Sequence, residues 1–401
     1  MRVALVNKYW FQKGGTERVL FLTKQYLEDA GHEVVCFGMQ DEKNIVSNEF
    51  FVPHVDYTQK IGWYTKLQRG WQAIYNVEAK KRFAAFLDAY APDVIHVHNI
   101  YHQLSFSIFD TAKKRGIPIV MTLHDYKMMS PNYMMYHHGH VDMSMIGKKY
   151  YRCVLNNCME DMGQSIVATV EAYVRGLKPW ATQVSLYLAP SVYMADIAMR
   201  AGLPSGRVHV LPNPVDITGQ SEDLVDGSTV VFFGRISPEK GVHTFLKSAS
   251  LNPSIPHIVL GTGPELDSAT QYVQEHGLAN VTFAGFLDGD ALRNALLQAR
   301  IVVVPSEWPE VAGMTIFEAY LLGKIVIGTH IGAIPESIPA EFLVPPGDHV
   351  ALSEKIAQWF RVSFEERARR GRELQADVVL THALDTYGKQ LVTYYASVIT
   401  P

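Results

Sequence analysis

The 401-residue sequence predicts an α/β protein composed of two doubly wound domains. Short and continuously apolar segments, such as "RVALVN" and "IVVVP", alternate with segments whose apolar residues repeat at helical spacing. Continuously apolar strands are typical of parallel sheets that helices cover on both faces. The alternation runs through the chain twice, and a prior of about 100–200 residues per domain fits two such units.

The first series supplies the elements of the predicted N-terminal domain, residues 1–212. It opens with a strand ("RVALVN"), a loop ("KYWFQKGG"), a helix ("TERVLFLTKQYLEDAG") and a second strand ("HEVVCFG"). Two further helix–strand pairs follow, in residues 79–99 and 108–125. The periodicity then fails as far as about Gln164, and it returns with a helix ("SIVATVEAYVRGL") and a strand ("VSLYLAPS").

The second series supplies the predicted C-terminal domain, residues 213–379. A linker rich in proline and polar residues ("PNPVDITGQSEDLVDGS") precedes it. Strands such as "TVVFFG", "HIVLG", "IVVVP" and "IVIGT" then recur with helices between them, and a helical tail occupies about residues 380–401. Ligands bind where the carboxyl ends of parallel strands meet, so we expect a cleft between the two domains.

The composition excludes several classes of protein. With 48% hydrophobic and 19% charged residues the chain is not disordered, and a net charge of −4 gives no general attraction to nucleic acid. Three cysteines predict no disulfide framework and fit a reducing compartment. The N-terminus lacks a signal peptide, and no apolar run approaches the roughly 20 residues of a membrane span. These features predict a cytoplasmic protein.

Three short basic clusters stand out against the acidic balance, in residues 78–83, 112–116 and 147–152 ("GKKYYR"). We interpret each as a solvated helix face or loop. The alternative is contact with a membrane surface or an anionic acceptor.

The segment "GRISPEKG" places Arg235 and Lys240 directly after a predicted strand and beside a helix start. Two cations at the carboxyl end of a parallel strand suit a diphosphate, because arginine binds oxygens bidentately and lysine acts as a point charge. The alternative is ordinary surface charge in a loop.

The segment "PEVAGMTIFEAY" contains two glutamates, Glu310 and Glu318, on either side of Gly313. The backbone N–H groups near Met314 and Thr315 would lie at a helix N-terminus, which attracts anions. The alternative is a capping box between Thr315 and Glu318 that only satisfies free backbone groups.

In the N-terminal domain, Gly14 and Gly15 precede a helix and could present backbone N–H groups to phosphate or sugar; a plain turn is the alternative. His124, beside Asp125 at the end of a strand, is a candidate for the site.

Two further histidines, His96 and His98, share one face of another strand, and with His124 they could hold a metal. We favour hydrogen-bonded histidines on a half-buried strand.

Together these segments resemble family 4 retaining glycosyltransferases. Glu310 and Glu318 match the family's E-x7-E signature, "GRISPEKG" its diphosphate clamp, "KGG" its glycine loop and "TLHD" its strand-end histidine. The motifs run in the expected order from residue 14 to residue 318. The resemblance implies a GT-B architecture of two Rossmann-like domains facing a central cleft, with a final helix that crosses back to the N-terminal domain.

The resemblance also implies roles for the site residues on the donor's diphosphate. Arg235 and Lys240 would hold it, together with backbone N–H groups near Gly313, Met314 and Thr315. These positions therefore form the expected donor-binding set of the C-terminal domain.

The resemblance also implies which residues would bind the donor sugar and the ribose. Glu318 would bind the ribose hydroxyls and Glu310 the 3- and 4-hydroxyls of the donor sugar. His124 would contact the sugar or the reacting region, and the loop of Gly14 and Gly15 would approach the diphosphate or sugar. The expected catalytic residues are Glu310 and His124, with Arg235 and Lys240.

The sequence departs from the family pattern at two places. Ala312 replaces the aromatic residue that commonly precedes the signature glycine. The irregular segment also resembles a subgroup with a four-cysteine cluster, of which Cys153 and Cys158 remain while Asp142 and Met145 take the other two positions. This loss argues against a metal there.

The resemblance predicts transfer of a sugar from a UDP- or GDP-linked donor to an acceptor hydroxyl, with retention and without a metal or other cofactor. The acceptor would be a saccharide, in free or lipid-linked form, in polysaccharide or glycolipid biosynthesis. A lipid-linked acceptor would bring the protein to the inner membrane face. Two alternatives stay open, a metal-dependent hydrolase that uses His96, His98 and His124, and a non-catalytic nucleotide-sugar binding protein.

Overall fold

The computed structural model describes residues 1–55, 70–220 and 224–399. The chain divides into two compact units. The first contains Met1–His138, Asp142–Pro214 and Leu384–Pro401, and the second contains Gly139–Val141 and Val215–Ala383. Part of the predicted linker, residues 221–223, lies outside the described residues.

The first unit is built on a six-stranded parallel sheet with the order β2-β1-β3-β4-β7-β8. Its central strands are buried along their whole length, which explains why their sequences are continuously apolar. The strands are β1 (Arg2–Val6), β2 (Glu33–Phe37), β3 (Val94–Val97), β4 (Ile119–Thr122), β7 (Leu186–Ala189) and β8 (Val208–Val210).

Helices connect these strands, and the irregular segment holds two very short strands, β5 (Tyr136–His137) and β6 (His140–Val141). The helices are α1 (Gly15–Asp29), α2 (Val77–Tyr90), α3 (Ser107–Lys114), α4 (Tyr151–Leu155), α5 (Met162–Leu177), α6 (Trp180–Gln183) and α7 (Val192–Arg200). The prediction of a first parallel α/β domain is confirmed.

The last helix, α15 (Leu384–Ile399), belongs to the first unit and packs on α1. Gly388 lies so close to α1 that a Cβ atom there would be 2.2 Å from the ring of Tyr26. The hydroxyl of Tyr387 lies 2.9 Å from Oγ1 of Thr23. The predicted return of the C-terminal helix to the N-terminal domain is therefore confirmed.

The second unit is also built on a six-stranded parallel sheet, with the order β11-β10-β9-β12-β13-β14. This is the order of a Rossmann fold, in which the direction of winding reverses between the two central strands, here β9 and β12. The strands are β9 (Thr229–Phe233), β10 (His257–Leu260), β11 (Val281–Gly285), β12 (Ala299–Val304), β13 (Ile325–Thr329) and β14 (Leu343–Val344).

The helices of the second unit cover this sheet, and one large buried cluster joins residues of β9, β12 and β13 with residues of the helix between β12 and β13. The helices are α8 (Val242–Ser250), α9 (Leu266–Glu275), α10 (Gly289–Leu297), α11 (Met314–Leu321), α12 (Ile334–Ser337), α13 (His349–Arg361) and α14 (Phe364–His382). The second α/β domain is confirmed. Within the described ranges, we find no helix with both the length and the apolar character needed to cross a bilayer.

Candidate functional site

The predicted donor-site residues of the second unit follow its two central strands. Arg235 and Lys240 come after β9, and Glu310 comes after the neighbouring strand β12. In a doubly wound sheet the loops at this position diverge and leave a crevice at the carboxyl ends of the strands. The topology thus brings together residues that are about 70 positions apart in sequence.

An ion pair joins two of these residues, because Nζ of Lys240 donates to Oε1 of Glu310 at 2.6 Å. The hydroxyl of Ser306 donates to the same oxygen at 2.7 Å. Burial by itself would raise the pKa of the Glu310 carboxyl, but the charge and hydrogen bond of Lys240, with further hydrogen bonds from Ser306 and Trp308, hold that pKa below its ordinary value. Glu310 is therefore an ionised carboxylate although its side chain is buried.

The backbone that carries Lys240 is fixed against the loop after β12. A turn of 3-10 helix (Pro238–Lys240) ends at Gly241, whose φ of 72° lies in the left-handed region. A Cβ atom at Gly241 would lie 1.9 Å from the carbonyl oxygen of Pro305. In addition, the backbone N–H of Glu307 donates to the carbonyl of Glu239 at 2.9 Å. Only glycine fits at position 241.

The loop that carries Glu310 has a second support, from the chain after β13. The backbone N–H of Ala333 donates to the carbonyl oxygen of Glu310 at 2.9 Å. Gly332 packs on the same peptide, because a Cβ atom there would lie 2.4 Å from the Glu310 nitrogen. Glu310 is thus held by its side chain and by its backbone, as a site that must bind in one geometry requires.

Helix α11 begins at Met314, and Gly313 is its N-cap residue with a φ of 65° and no hydrogen bond from a side-chain cap. The capping-box interpretation of Thr315 and Glu318 is therefore wrong, because the N-cap lies two residues before Thr315. Thr315 lies in the first turn and Glu318 in the second, and both are half-buried. Arg235 is exposed.

In the first unit, Gly14 and Gly15 are exposed at the N-terminus of α1, as predicted. The loop before them starts at Asn7, a buried residue that accepts a hydrogen bond from the backbone of Asn99 at 2.9 Å. The Asn7 amide also donates to Oε1 of Glu17 at 3.3 Å. Burial raises the pKa of Glu17, and the bond from Asn7 opposes this shift.

Sequence reasoning missed the roles of Asn7 and Glu17. Both were visible as polar residues, one directly after a buried strand and one in the first turn of a helix, but neither position shows that its side chain turns inward. Their bonds tie the glycine loop to the ends of β1 and β3.

His124 follows β4 and lies beside a second histidine. Nδ1 of His98 lies 2.9 Å from Nε2 of His124, and the two rings stack with centroids 5.1 Å apart. Burial lowers the pKa of His124 to about 3, so its ring is neutral at neutral pH. A neutral imidazole is a hydrogen-bond donor and acceptor rather than a fixed cation.

The third histidine, His96, uses both ring nitrogens for structural contacts. Nδ1 lies 2.6 Å from the hydroxyl of Tyr395, and Nε2 lies 2.8 Å from Oγ1 of Thr122. Over residues 1–55, 70–220 and 224–399, no group of three or more His, Cys, Asp or Glu side chains is arranged to hold a metal ion. The hydrolase alternative is not supported, and our preferred interpretation of His96 and His98 agrees with their hydrogen bonds.

The cysteine segment corrects one expectation. Cys153 and Cys158, for which we predicted no disulfide, are joined by one. Helix α4 ends between them, and the turn that follows places the N–H of Cys158 2.8 Å from the carbonyl of Cys153. Both cysteines are buried in one cluster with Met145. Asp142 pairs instead with His137, so the positions that resemble a four-cysteine cluster form an apolar and hydrogen-bonded core.

Two protein-family models match consecutive parts of this chain. A family model described as Glycosyltransferase Family 4 matches residues 13–218, and one described as Glycosyl transferases group 1 matches residues 219–376. An uncharacterized 42.6 kDa protein in the cps region of Klebsiella pneumoniae is 25% identical over 358 residues, which cover 84% of this chain and 87% of that protein.

Two further relatives span almost the whole chain. The O-antigen chain mannosyltransferase C of Escherichia coli is 21% identical over 397 residues, 96% of this chain and 97% of that protein. The crystal structure of Anabaena Alr3699/HepE in complex with UDP-glucose superimposes with a TM-score of 0.70 at 18% identity, covering 99% of this chain and 100% of that one. At this identity the structural likeness establishes the fold alone.

Proposed function

This chain belongs to glycosyltransferase family 4, and from that premise we propose that it transfers a sugar from a nucleoside diphosphate sugar to an acceptor hydroxyl with retention of configuration. The observation that carries the proposal is the pair of Lys240 and Glu310 at the point where the winding of the second sheet reverses. A cation and a carboxylate held side by side match a ligand that carries phosphates next to sugar hydroxyls.

The donor's diphosphate binds to Lys240 and Arg235. The exposed side chain of Arg235 is available to the ligand. The N-terminus of α11, at Gly313, Met314 and Thr315, adds backbone N–H groups and the positive end of the helix dipole. All of these groups stabilise the negative charge that develops on the departing diphosphate, so the reaction needs no metal.

The two glutamates of the signature bind the two sugars of the donor. Glu310, ionised and fixed by Ser306, accepts hydrogen bonds from hydroxyls of the transferred sugar. Glu318, half-buried in the second turn of α11, accepts from the hydroxyls of the ribose. Neither glutamate acts as a nucleophile. A leaving-group oxygen takes the acceptor's proton, and the acceptor attacks from the same face.

The base of the donor is uracil or guanine. Support for uracil comes from the complex of the Anabaena protein with UDP-glucose. The first unit binds the acceptor, with the Gly14–Gly15 loop and His124 near the reacting sugar. The O-antigen mannosyltransferase and the protein of the cps region favour a saccharide acceptor in polysaccharide biosynthesis, free or lipid-linked. With a lipid-linked acceptor the chain would work as a peripheral protein at a membrane surface.

Thermal unfolding with UDP, GDP or ADP in the presence of EDTA tests the donor site. A nucleotide at about 100 times its Kd adds roughly 2.7 kcal/mol to the free energy of unfolding. We expect stabilisation by UDP or GDP in the wild type and its loss in Glu318→Ala. The matched control is Glu354→Ala, at an exposed position of α13, which should keep the full stabilisation.

If none of the nucleotides stabilises the wild type, the donor-site proposal is wrong. Stabilisation without sugar transfer to any saccharide acceptor would instead support the alternative of a non-catalytic nucleotide-sugar binding protein. The anomeric configuration of the product is a separate test. Retention supports the proposed mechanism, and inversion contradicts it.

A further inference from the structure

Helix α5 presents a row of large apolar side chains to solvent. The row consists of Met162, Ile166, Val170, Tyr173 and Leu177, which follow one another at spacings of three or four residues. Such spacing places side chains on one face of a helix. Their exposed fractions lie between 40% for Tyr173 and 85% for Leu177, and we call this row the apolar stripe.

The opposite face of α5 already serves the core of the unit. Its buried positions are Ser165, Ala168, Thr169, Glu171, Ala172 and Arg175. A surface helix normally turns its large apolar residues inward and its polar residues outward. Here small and polar residues face the core and large apolar ones face solvent, so the stripe is not explained by folding of this unit.

The apolar surface continues onto α4. Tyr151 and Leu155 on that helix are 49% and 73% exposed. The backbone N–H of Tyr151 donates to the hydroxyl of Tyr173 at 3.2 Å, which joins the two helices. From Met162 to Leu177 the stripe extends about 22 Å at a rise of about 1.5 Å per residue. A contiguous apolar surface of this length marks a binding surface.

Four basic residues lie on α4 or directly beside α4 and α5 in sequence. Lys148 and Lys149 immediately precede α4, Arg152 lies within it, and Lys178 directly follows α5. Over the described ranges, none of these four has an ion pair. Three of them, Lys148, Lys149 and Arg152, belong to the basic cluster 147–152 described in the sequence analysis.

The acids nearest to the stripe in sequence have partners. Glu171, within α5, is buried and pairs with Lys127 at 2.7 Å. Glu160 accepts a hydrogen bond from the backbone of His138 at 2.7 Å. Asp161 caps α5 by accepting from the backbone of Gln164 at 2.7 Å. These acids are thus engaged elsewhere, and the four cations offer positive charge to an anionic binding partner.

We propose that α4 and α5 dock on an anionic lipid bilayer, with α5 in the plane of the interface and the apolar stripe inserted below the headgroups. Helices that lie in this interface combine an exposed apolar face with lysine and arginine at its border. Anionic headgroups neutralise the unpaired cations. Tyr151 and Tyr173 suit the level of the headgroups, because their rings are apolar and their hydroxyls are polar. The apolar stripe would be the part of the chain that contacts the membrane in the peripheral association proposed above. Its binding to lipid does not depend on the chemistry of the donor site.

Flotation of the full chain with vesicles tests the proposal. Wild-type protein should float with vesicles of phosphatidylcholine and phosphatidylglycerol in equal parts, and much less with phosphatidylcholine alone. The double variant Ile166→Glu/Val170→Glu should lose at least about tenfold in partition, because it puts charges into the inserted face. Lys148→Gln/Lys149→Gln should lose about fivefold per cation removed, on anionic vesicles only.

The matched control is Leu251→Glu/Leu380→Glu, at two exposed leucines of the second unit, which should float like the wild type. Thermal stabilisation by nucleotide is measured on every variant. The unfolding transition without nucleotide shows whether the variant is folded, and the shift with nucleotide shows whether the donor site binds. A variant or wild type that unfolds cooperatively but shows no shift therefore still gives a valid flotation result.

Absence of flotation of the wild type with anionic vesicles would overturn the proposal, as would wild-type flotation of Ile166→Glu/Val170→Glu. Sedimentation velocity tests whether a second copy of the chain covers the apolar stripe instead of a bilayer. A wild-type dimer that does not float and that the same double variant dissociates would assign the stripe to a second copy of the chain and also overturn the proposal.

Discussion

His98 and His124 form a hydrogen-bonded pair in which Nδ1 of His98 faces Nε2 of His124 at 2.9 Å. Nε2 of His98 is buried and finds no hydrogen-bond partner among the residues that the structure describes. A buried N–H without an acceptor is rarer in proteins than an acceptor without a donor. We therefore assign the proton of His98 to Nδ1, from which it donates to His124. His124 then carries its own proton on Nδ1, and we propose that this N–H contacts the donor sugar.

His98 is thus a positioning residue for His124, and its substitution should lower activity without unfolding the protein. We expect His98→Leu to lower kcat by roughly tenfold with a small change in KM for the donor, because the ring of His124 loses its orientation. His98→Asn keeps a donor near the position of Nδ1 and should retain most of the activity. Nitrogen-15 chemical shifts of His124 should report the Nδ1–H tautomer in the wild type and in His98→Asn, with mixed tautomers in His98→Leu. Wild-type kinetics and tautomer in His98→Leu would contradict this role.

Lys240 and Glu310 should separate nucleotide binding from turnover. Lys240→Met removes the cation proposed to hold the diphosphate and leaves a buried carboxylate, so we expect weaker nucleotide binding and a loss of about 2 kcal/mol in the free energy of unfolding. Glu310→Gln should keep nucleotide binding but lose sugar transfer by roughly a hundredfold. Denaturant unfolding, nucleotide titration and product formation measure the three quantities.

The double variant Lys240→Met/Glu310→Gln provides the control for this pair. It removes both charges, so its stability should exceed that of Lys240→Met alone. The coupling between the two residues is the loss in the double variant minus the sum of the losses in Lys240→Met and Glu310→Gln. Additive losses would show that the ion pair at 2.6 Å contributes nothing to stability.

This pair also shows how far the sequence could lead. The strands before Arg235 and Glu310 were predictable because β9 and β12 are continuously apolar, and each motif was recognisable in its own loop. The bond between Lys240 and Glu310 was not predictable, because the contact depends on the order of the strands in the sheet. Periodicity in a sequence reports the local surroundings of a segment and carries no information on strand order.

Two local features could not be predicted from the sequence for a similar reason. Thr315 and Glu318 fit a capping box, but the left-handed backbone of Gly313 lets α11 begin earlier. The three cysteines were expected to form no disulfide framework, but the turn after α4 brings the Cα atoms of Cys153 and Cys158 to 4.7 Å, and a disulfide joins them. In each case the conformation of a single turn decided the outcome.

Gly241 should be far less tolerant of a methyl group than Gly347, although both have a positive φ, of 72° and 76°. A Cβ atom at position 241 meets the carbonyl oxygen of Pro305, whereas at position 347 it meets no atom of the described residues within 4 Å. Gly347→Ala should therefore cost only the backbone term of about 1 kcal/mol. Gly241→Ala should cost about 3 kcal/mol or more and weaken nucleotide binding, because the segment of Lys240 has to shift. Denaturant unfolding and nucleotide titration compare the two variants, and equal losses would show that the close contact does not constrain the site.

Buried neutral histidines should make stability fall as the pH drops below about 6.5. Burial lowers the pKa of His96 to about 3, so between pH 6.5 and 5 the unfolded chain binds a proton that the folded chain does not. Each such histidine therefore costs about 1.4 kcal/mol of stability per pH unit in this window. Burial raises the pKa of Glu17 and Asp125, and these two carboxyls act in the opposite direction.

Unfolding by denaturant between pH 7 and pH 5 measures this slope for single variants. His96→Gln removes one titrating ring, so its slope should be smaller than that of the wild type by about one proton. Thr122→Val removes one hydrogen-bond partner of His96 but keeps the ring, so it should retain the wild-type slope. An unchanged slope in His96→Gln would mean that His96 already binds a proton in the folded protein, which would contradict both its neutral state and its assignment as a structural residue.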